Sequence, residues 1–143
     1  METTIRIDGR DVRFKASAAT PLLYRSRFNR DLLRDLRTLA AKTQRGGDAD
    51  GSLPVQVLET FERMAYIMAK QAEPDAVPGS PEEWIDEFSA LPFYGLFPVL
   101  LDLWSGNVEG LEESKKKAEL LIENLQRLSS SFGRSGSGSP SET

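Results

Sequence analysis

Thr20–Lys42 reads TPLLYRSRFNRDLLRDLRTLAAK, and its reading decides the fold. Thr20 can cap exposed backbone N–H groups, and Pro21 at the first helical position gives up no hydrogen bond, so a helix opens at Thr20. Tyr24, Phe28, Leu32, Leu36 and Leu39 follow at spacings of three and four, which sets them on one stripe of a 3.6-period helix. Arg27, Arg30, Arg34 and Arg37 fall on the opposite side, with Asp31 on the border, spaced to pair with Arg27 and Arg34. Two readings of that basic side stay open: a solvated face, or a docking face for an acidic partner. Arg25 does not fit the wheel, because on a continuous helix it projects near Phe28 and Leu32. An unpaired guanidinium on an apolar face costs several kcal/mol. The stretch therefore predicts either a break near Ser26–Asn29, with Ser26 or Asn29 capping a second helix, or an Arg25–Asp31 pair.

Outward toward the N-terminus, Thr3–Phe14 (TTIRIDGRDVRF) alternates with period two around Asp8-Gly9, the dipeptide favoured in two-residue type I′ hairpins. Pairing Ile7 with Arg10 sets Ile5 opposite Val12 and Thr3 opposite Phe14, and gives Ile5, Val12 and Phe14 a common apolar patch. A lone hairpin is marginal in water, so this one is expected to pack on the helices of its own chain.

Outward toward the C-terminus, Gln44–Ser52 (QRGGDADGS) breaks the pattern, and its Asp-x-Asp-Gly lacks the further oxygen ligands and closing Glu of a calcium loop, so it reads as an ordinary loop. Leu53–Ala72 follows as a long, broadly apolar helix, expected to be the central and most buried one. Within it Met64 and Met68 read either as core or as an adaptable groove for client segments. Glu73–Gly79 is a connector with two prolines. Ser80-Pro81-Glu82-Glu83 then supplies cap, first-turn Pro and capping-box Glu for a short helix that buries Trp84, Ile85 and Phe88 and ends by Pro92. Leu91–Trp104 (LPFYGLFPVLLDLW) carries Phe93, Tyr94, Phe97 and Trp104 with one charge. Gly95 and Pro98 point to a turn and then a helix from about Phe97 to Ser105. The run reads as core plug or as an exposed aromatic groove for a client. The last helix, Val108–Leu128, has a seam of Leu111, Ala118, Leu121, Ile122, Leu125 and Leu128 that is long enough for a dimer contact.

These pieces amount to a mainly α (α+β) fold. An N-terminal β-hairpin precedes a compact bundle of about five helices within one domain, 1–128, and a Gly/Ser-rich tail, 129–143, is too polar to order itself. Histidine and cysteine are both absent, which removes the commonest general base, thiolate chemistry and disulfides. No Gly-rich phosphate loop or helical metal-ligand pattern supplies the carboxylates with a partner, so the expectation is no enzyme, no cofactor and no metal. The net charge of −4 and pI near 5.0 argue against a general nucleic-acid binder. The charge is unevenly placed: residues 1–45 carry eleven Lys+Arg against five Asp+Glu, and residues 46–143 carry seven against seventeen. Such a chain suits self-docking, head-to-tail association or a charged partner. No 18-residue apolar run is present, so a cytoplasmic location without a membrane partner is expected.

The hairpin followed by TPLLYRSRFNRDLL (Tyr-Arg, two residues, Phe, Asn29 where Gly is common, a residue, Asp, an apolar pair) resembles the tail assembly chaperone family of long-tailed bacteriophages and prophages. The mid-chain apolar helix and Glu82–Ile85, Glu-Glu-Trp-Ile, are similar to that family's order of parts, and the resemblance covers most of residues 3–128. It implies a non-catalytic protein of the host cytoplasm that binds the tape measure protein, keeps it soluble and promotes assembly of the tail tube around it, with the tail tube protein as a second partner. It also implies absence from the mature virion, and a longer form made by frameshifting near the end of the gene. Phe93, Tyr94, Phe97, Trp104, Met64 and Met68 are the candidate client-binding residues, with Arg27, Arg30, Arg34 and Arg37 as the candidate charged face. The alternatives are a small helical regulatory or nucleic-acid adaptor using that basic face, or a structural virion component.

Overall fold

A computed structural model describes residues 1–44, 54–105, 116 and 119–128. Strands β1 (Glu2–Ile7) and β2 (Arg10–Lys15) form an antiparallel hairpin in which Ile7 faces Arg10, Ile5 faces Val12 and Thr3 faces Phe14. Asp8 and Gly9 both take positive φ, +56° and +82°, the twist a two-residue hairpin turn demands. Val12 and Phe14 are buried and Ile5 half-buried, while Ile7, outside the expected patch, is buried with them.

The Arg25 conflict resolves by a break. Helix α1 (Thr20–Phe28) ends at Asn29, whose φ of +56° is left-handed and whose N–H bonds Arg25 O at 2.8 Å. A short polar side chain tolerates that conformation better than most, which explains how Asn serves where Gly would be the easiest residue. Helix α2 (Leu32–Gln44) restarts behind Asp31. The Asp31 carboxylate accepts the Arg34 backbone N–H at 3.2 Å, and its carbonyl accepts Asp35 N–H at 2.9 Å. Asp31 thus caps the second helix, a role expected of Ser26 or Asn29, and neither of its side-chain pairings, with Arg25 or with Arg27 and Arg34, is formed. Turning the chain leaves Arg25 in solvent while Tyr24, Leu32, Leu36 and Leu39 stay buried. Thr20 is likewise the first helical residue rather than the cap. Its hydroxyl accepts the Ser17 N–H at 2.9 Å and donates to Gln71 Oε1 at 2.9 Å, which ties α1 to the next long helix.

That helix, α3 (Val55–Ala72), is the centre of the fold, packing against β2, α1, α2 and two later helices. Val57, Phe61, Met64, Ala65, Tyr66, Met68 and Ala69 are buried, and only Val55 and Leu58 of its large apolar residues reach solvent. Helix α4 (Pro81–Ile85) opens on Ser80, whose hydroxyl oxygen accepts Glu83 N–H at 3.2 Å and donates to the Glu83 carboxylate at 3.0 Å. It stops at Ile85, earlier than Pro92, and Phe88 is buried from the turn beyond. This region clasps the hairpin. Asp8 accepts both the N–H and the hydroxyl of Ser89 at 2.9 and 2.6 Å, and those bonds hold its carboxyl below the usual range. Arg10 pairs with Glu87 at 2.7 Å and stacks over Phe88, and Phe14 meets the Trp84 ring edge-on at 6.3 Å.

Helix α5 (Phe93–Ser105) corrects the expected turn-then-helix: it begins at Phe93 and runs through Gly95 and Pro98. An interior Pro costs about 3 kcal/mol. Leu96, Phe97, Leu100, Leu101 and Trp104, all buried on one face of this helix, outweigh that cost, since each contributes about 2 kcal/mol. A sixth helical segment, α6 (119–128), docks on α2 through buried Asn124, whose amide donates to Ala40 O and Thr43 Oγ1 at 3.1 Å each. Leu121, Leu125 and Leu128 of the expected dimer seam are buried within the chain, the first two in its hydrophobic core. The architecture is mainly α with a small N-terminal antiparallel sheet. The Asp-x-Asp-Gly loop, the first half of the last helix with Leu111 and Ala118, and the tail 129–143 lie outside the described residues.

Candidate functional site

The residues proposed for client contact fall in two places. Met64, Met68, Phe97 and Trp104 have no exposed surface, and Phe93 and Tyr94 are half-buried. Phe61, Phe93 and Phe97 stack tilted or edge-on with centroids 5.1 to 5.7 Å apart, and Phe93 meets Tyr94 at 4.9 Å. The aromatic rings lie along the α3–α5 seam, so in the folded chain Met64, Met68, Phe97 and Trp104 are interior rather than an open groove, while Phe93 and Tyr94 stay partly open at its edge. Periodicity alone cannot separate the two, because both put large apolar side chains on one helix face.

The four arginines also separate. Arg34 and Arg37 stand in solvent with no side-chain partner among the described residues. Arg27 turns to α3, lying over the Tyr66 ring at 5.5 Å and donating to Gly79 O. Arg30 grips Asp35 with two bonds of 2.8 and 2.9 Å. Asp35 was not singled out by the sequence, yet it is the hub of a polar cluster that joins α1, α2 and α3. It shares the stripe of Leu32, Leu36 and Leu39, and a carboxylate there is the signal that marks it. Buried Asp35 accepts the Tyr24 hydroxyl at 2.7 Å, and Tyr24 in turn accepts Arg63 Nε at 3.0 Å. Arg63 also comes within 3.8 Å of the carboxylate and 3.4 Å of Thr60 Oγ1. Burial alone would raise the Asp35 carboxyl, but the bonds from Arg30 and Tyr24 and the positive charge of Arg63 outweigh it and hold it low. Beside this hub a cleft of about 480 Å³ opens between the α1–α2 turn and α3, where Arg25, Arg30, Arg34 and Arg63 face Asp31, Asp35 and Glu59. Positive and negative groups are nearly balanced there, as expected of a structural network.

Burial, with the donated bond to Asp35, pushes the Tyr24 hydroxyl from 10.0 up to about 12. The neutral phenol is the folded form, so its contribution is whole below pH 10.0 and is lost as pH rises to about 12, because the unfolded chain ionises first. Denaturation curves should lose about 2 kcal/mol across that window. In an absorbance titration the highest tyrosine step should vanish in Tyr24→Phe; three tyrosines all ionising near pH 10 would contradict this.

A second cleft of about 480 Å³ lies between α1 and the C-terminal half of α3, lined by Leu23, Ser26, Arg27, Tyr66, Ile67, Lys70, Gln71 and Pro74. It is largely apolar, and no acidic residue lines it. Its signal in the sequence was the pair Leu22-Leu23, which the helical stripe of Tyr24 and Phe28 leaves unused.

No group of three or more Asp and Glu residues among the described residues is arranged to hold a metal ion, and no helix among them is long and apolar enough to cross a membrane. Comparisons with protein-family models, curated proteins and solved structures return no match to this chain.

Proposed function

We propose that this chain is a tail assembly chaperone of a long-tailed phage or prophage, a non-catalytic protein that holds the tape measure protein soluble while tail tube subunits assemble around it. The observation that carries the reading is the order of parts: a hairpin, then the Tyr-Arg…Phe-Asn…Asp segment bent at Asn29, then the apolar α3 and the Glu-Glu-Trp-Ile turn. Four of those motif residues have a local job, while Arg25 stands in solvent. Tyr24 and Phe28 pack edge-on at 5.3 Å, Asn29 makes the left-handed turn, and Asp31 caps α2. The proposed setting is the host cytoplasm, with no cofactor and no copies in the finished particle. The basic-face adaptor draws less support, since Arg27 and Arg30 are engaged within the fold.

Co-expression with the tape measure protein of the same phage or prophage tests the reading. The expected result is a larger soluble fraction of tape measure protein that co-purifies with the chain. A client that stays insoluble and unassociated would overturn it.

A further inference from the structure

The cleft between α1 and α3 has the two properties a peptide-docking groove needs. The first is apolar surface open to solvent: Leu23, 40% exposed, and exposed Pro74 form its rim over the buried Tyr66 and Ile67 that floor it. The second is uncompensated charge held in place. Lys70 donates to Pro74 O and Val77 O at 2.8 and 2.7 Å, and Arg27 donates to Gly79 O while resting on the Tyr66 ring. Carbonyls orient these cations without neutralising them. Neither makes an ion pair with a carboxylate among the described residues. The cleft beside Asp35 is the contrast, because there acids answer the arginines.

We propose that the α1–α3 cleft docks an amphipathic, acidic segment of a partner protein, its large apolar side chains entering between Leu23 and Pro74 and its carboxylates meeting Arg27 and Lys70. Cations already ordered by carbonyls lose little freedom on binding, which favours a short peptide segment over a broad interface. The groove specifies the partner's chemistry whatever its identity, so the inference stands or falls apart from the chaperone reading.

The test uses the full chain and a fluorescein-labelled synthetic helix with leucines at every third and fourth position and glutamates on both flanks, beside a twin with each glutamate replaced by lysine. Fluorescence anisotropy should show the acidic helix binding at least about tenfold tighter than its twin, with the preference shrinking as salt rises. Leu23→Asp and Ser26→Glu, both at exposed positions, should each weaken binding by about tenfold with unchanged circular dichroism, while Arg37→Glu, outside the cleft, should leave it unaltered. Equal binding of the two helices, no binding of either, or indifference to Leu23→Asp would overturn the proposal. So would sedimentation showing a dimer that Leu23→Asp dissolves, since a second copy would then be the occupant.

Discussion

Truncation of Trp84 to alanine is expected to cost about 4 kcal/mol and to lower the melting temperature by about 10 °C, the largest effect of any single apolar truncation in the chain. Trp84 is 1% exposed and touches three different parts of the molecule. It meets Phe14 of the hairpin at 6.3 Å, Tyr66 of α3 at 6.3 Å and Phe88 at 5.2 Å. A cavity at that point therefore does more than remove one side chain's burial: it loosens the seat of β2 on α3, and the Asp8–Ser89 and Arg10–Glu87 contacts of the clasp compensate little. Those two are exposed polar contacts, which water and salt screen. Guanidinium denaturation followed by circular dichroism measures the loss. A decrease under about 1 kcal/mol would mean that the hairpin is held by something other than this indole.

The second large effect is at Asp35. Asp35→Ala leaves the Tyr24 hydroxyl without its acceptor inside the bundle and leaves Arg63, 20% exposed at its side chain, facing the lost charge. About 3 kcal/mol of destabilisation is expected, the lower end for removing one partner from a buried ionic network, because Arg30 is half-exposed and regains water. Asp35→Asn keeps an acceptor for Tyr24 and should cost about half as much. Arg30→Ala should cost about 1 kcal/mol or less. The ordering matters more than the values. If Arg30→Ala cost as much as Asp35→Ala, the ion pair rather than the buried phenol–carboxylate bond would be the important contact.

Local rules were enough where a neighbouring residue enforces the outcome. Asp8-Gly9 sets the turn, the turn sets the register, and the register places Val12 and Phe14 inward. Arg25 announced the break at Asn29 because a guanidinium does not fit on the stripe of Tyr24, Phe28 and Leu32. Ser80 capped α4 as spaced, accepting the Glu83 N–H, although the Glu83 carboxylate takes the Ser80 hydroxyl and not the backbone N–H of a full capping box. What escaped was decided by contacts between elements. Pro98 breaks a helix in isolation, yet here it lies within thirteen helical residues whose buried face faces α3. Met64, Met68 and Phe97 fit either a core or a groove until the neighbouring helix is in place. Asp35 was visible as a misplaced carboxylate, but its partner Tyr24 sits eleven residues away on a different helix. The α1–α3 cleft, similarly, exists only in the relation of two helices, and no single wheel displays it.

The clasp on the hairpin also bears on how the chain folds. Asp8 bonds Ser89 across 81 positions and Arg10 reaches Glu87 across 77, so these contacts of the hairpin wait on a segment far along the sequence. A hairpin of this size has little stability alone, and Ile7, Val12 and Phe14 are covered in full only when both α3 and the segment through Ser89 are in place. Until that segment is present the hairpin lacks its clasp, so closure of the strands on residues 84–89 is a long-range, late-forming step of folding rather than a local one.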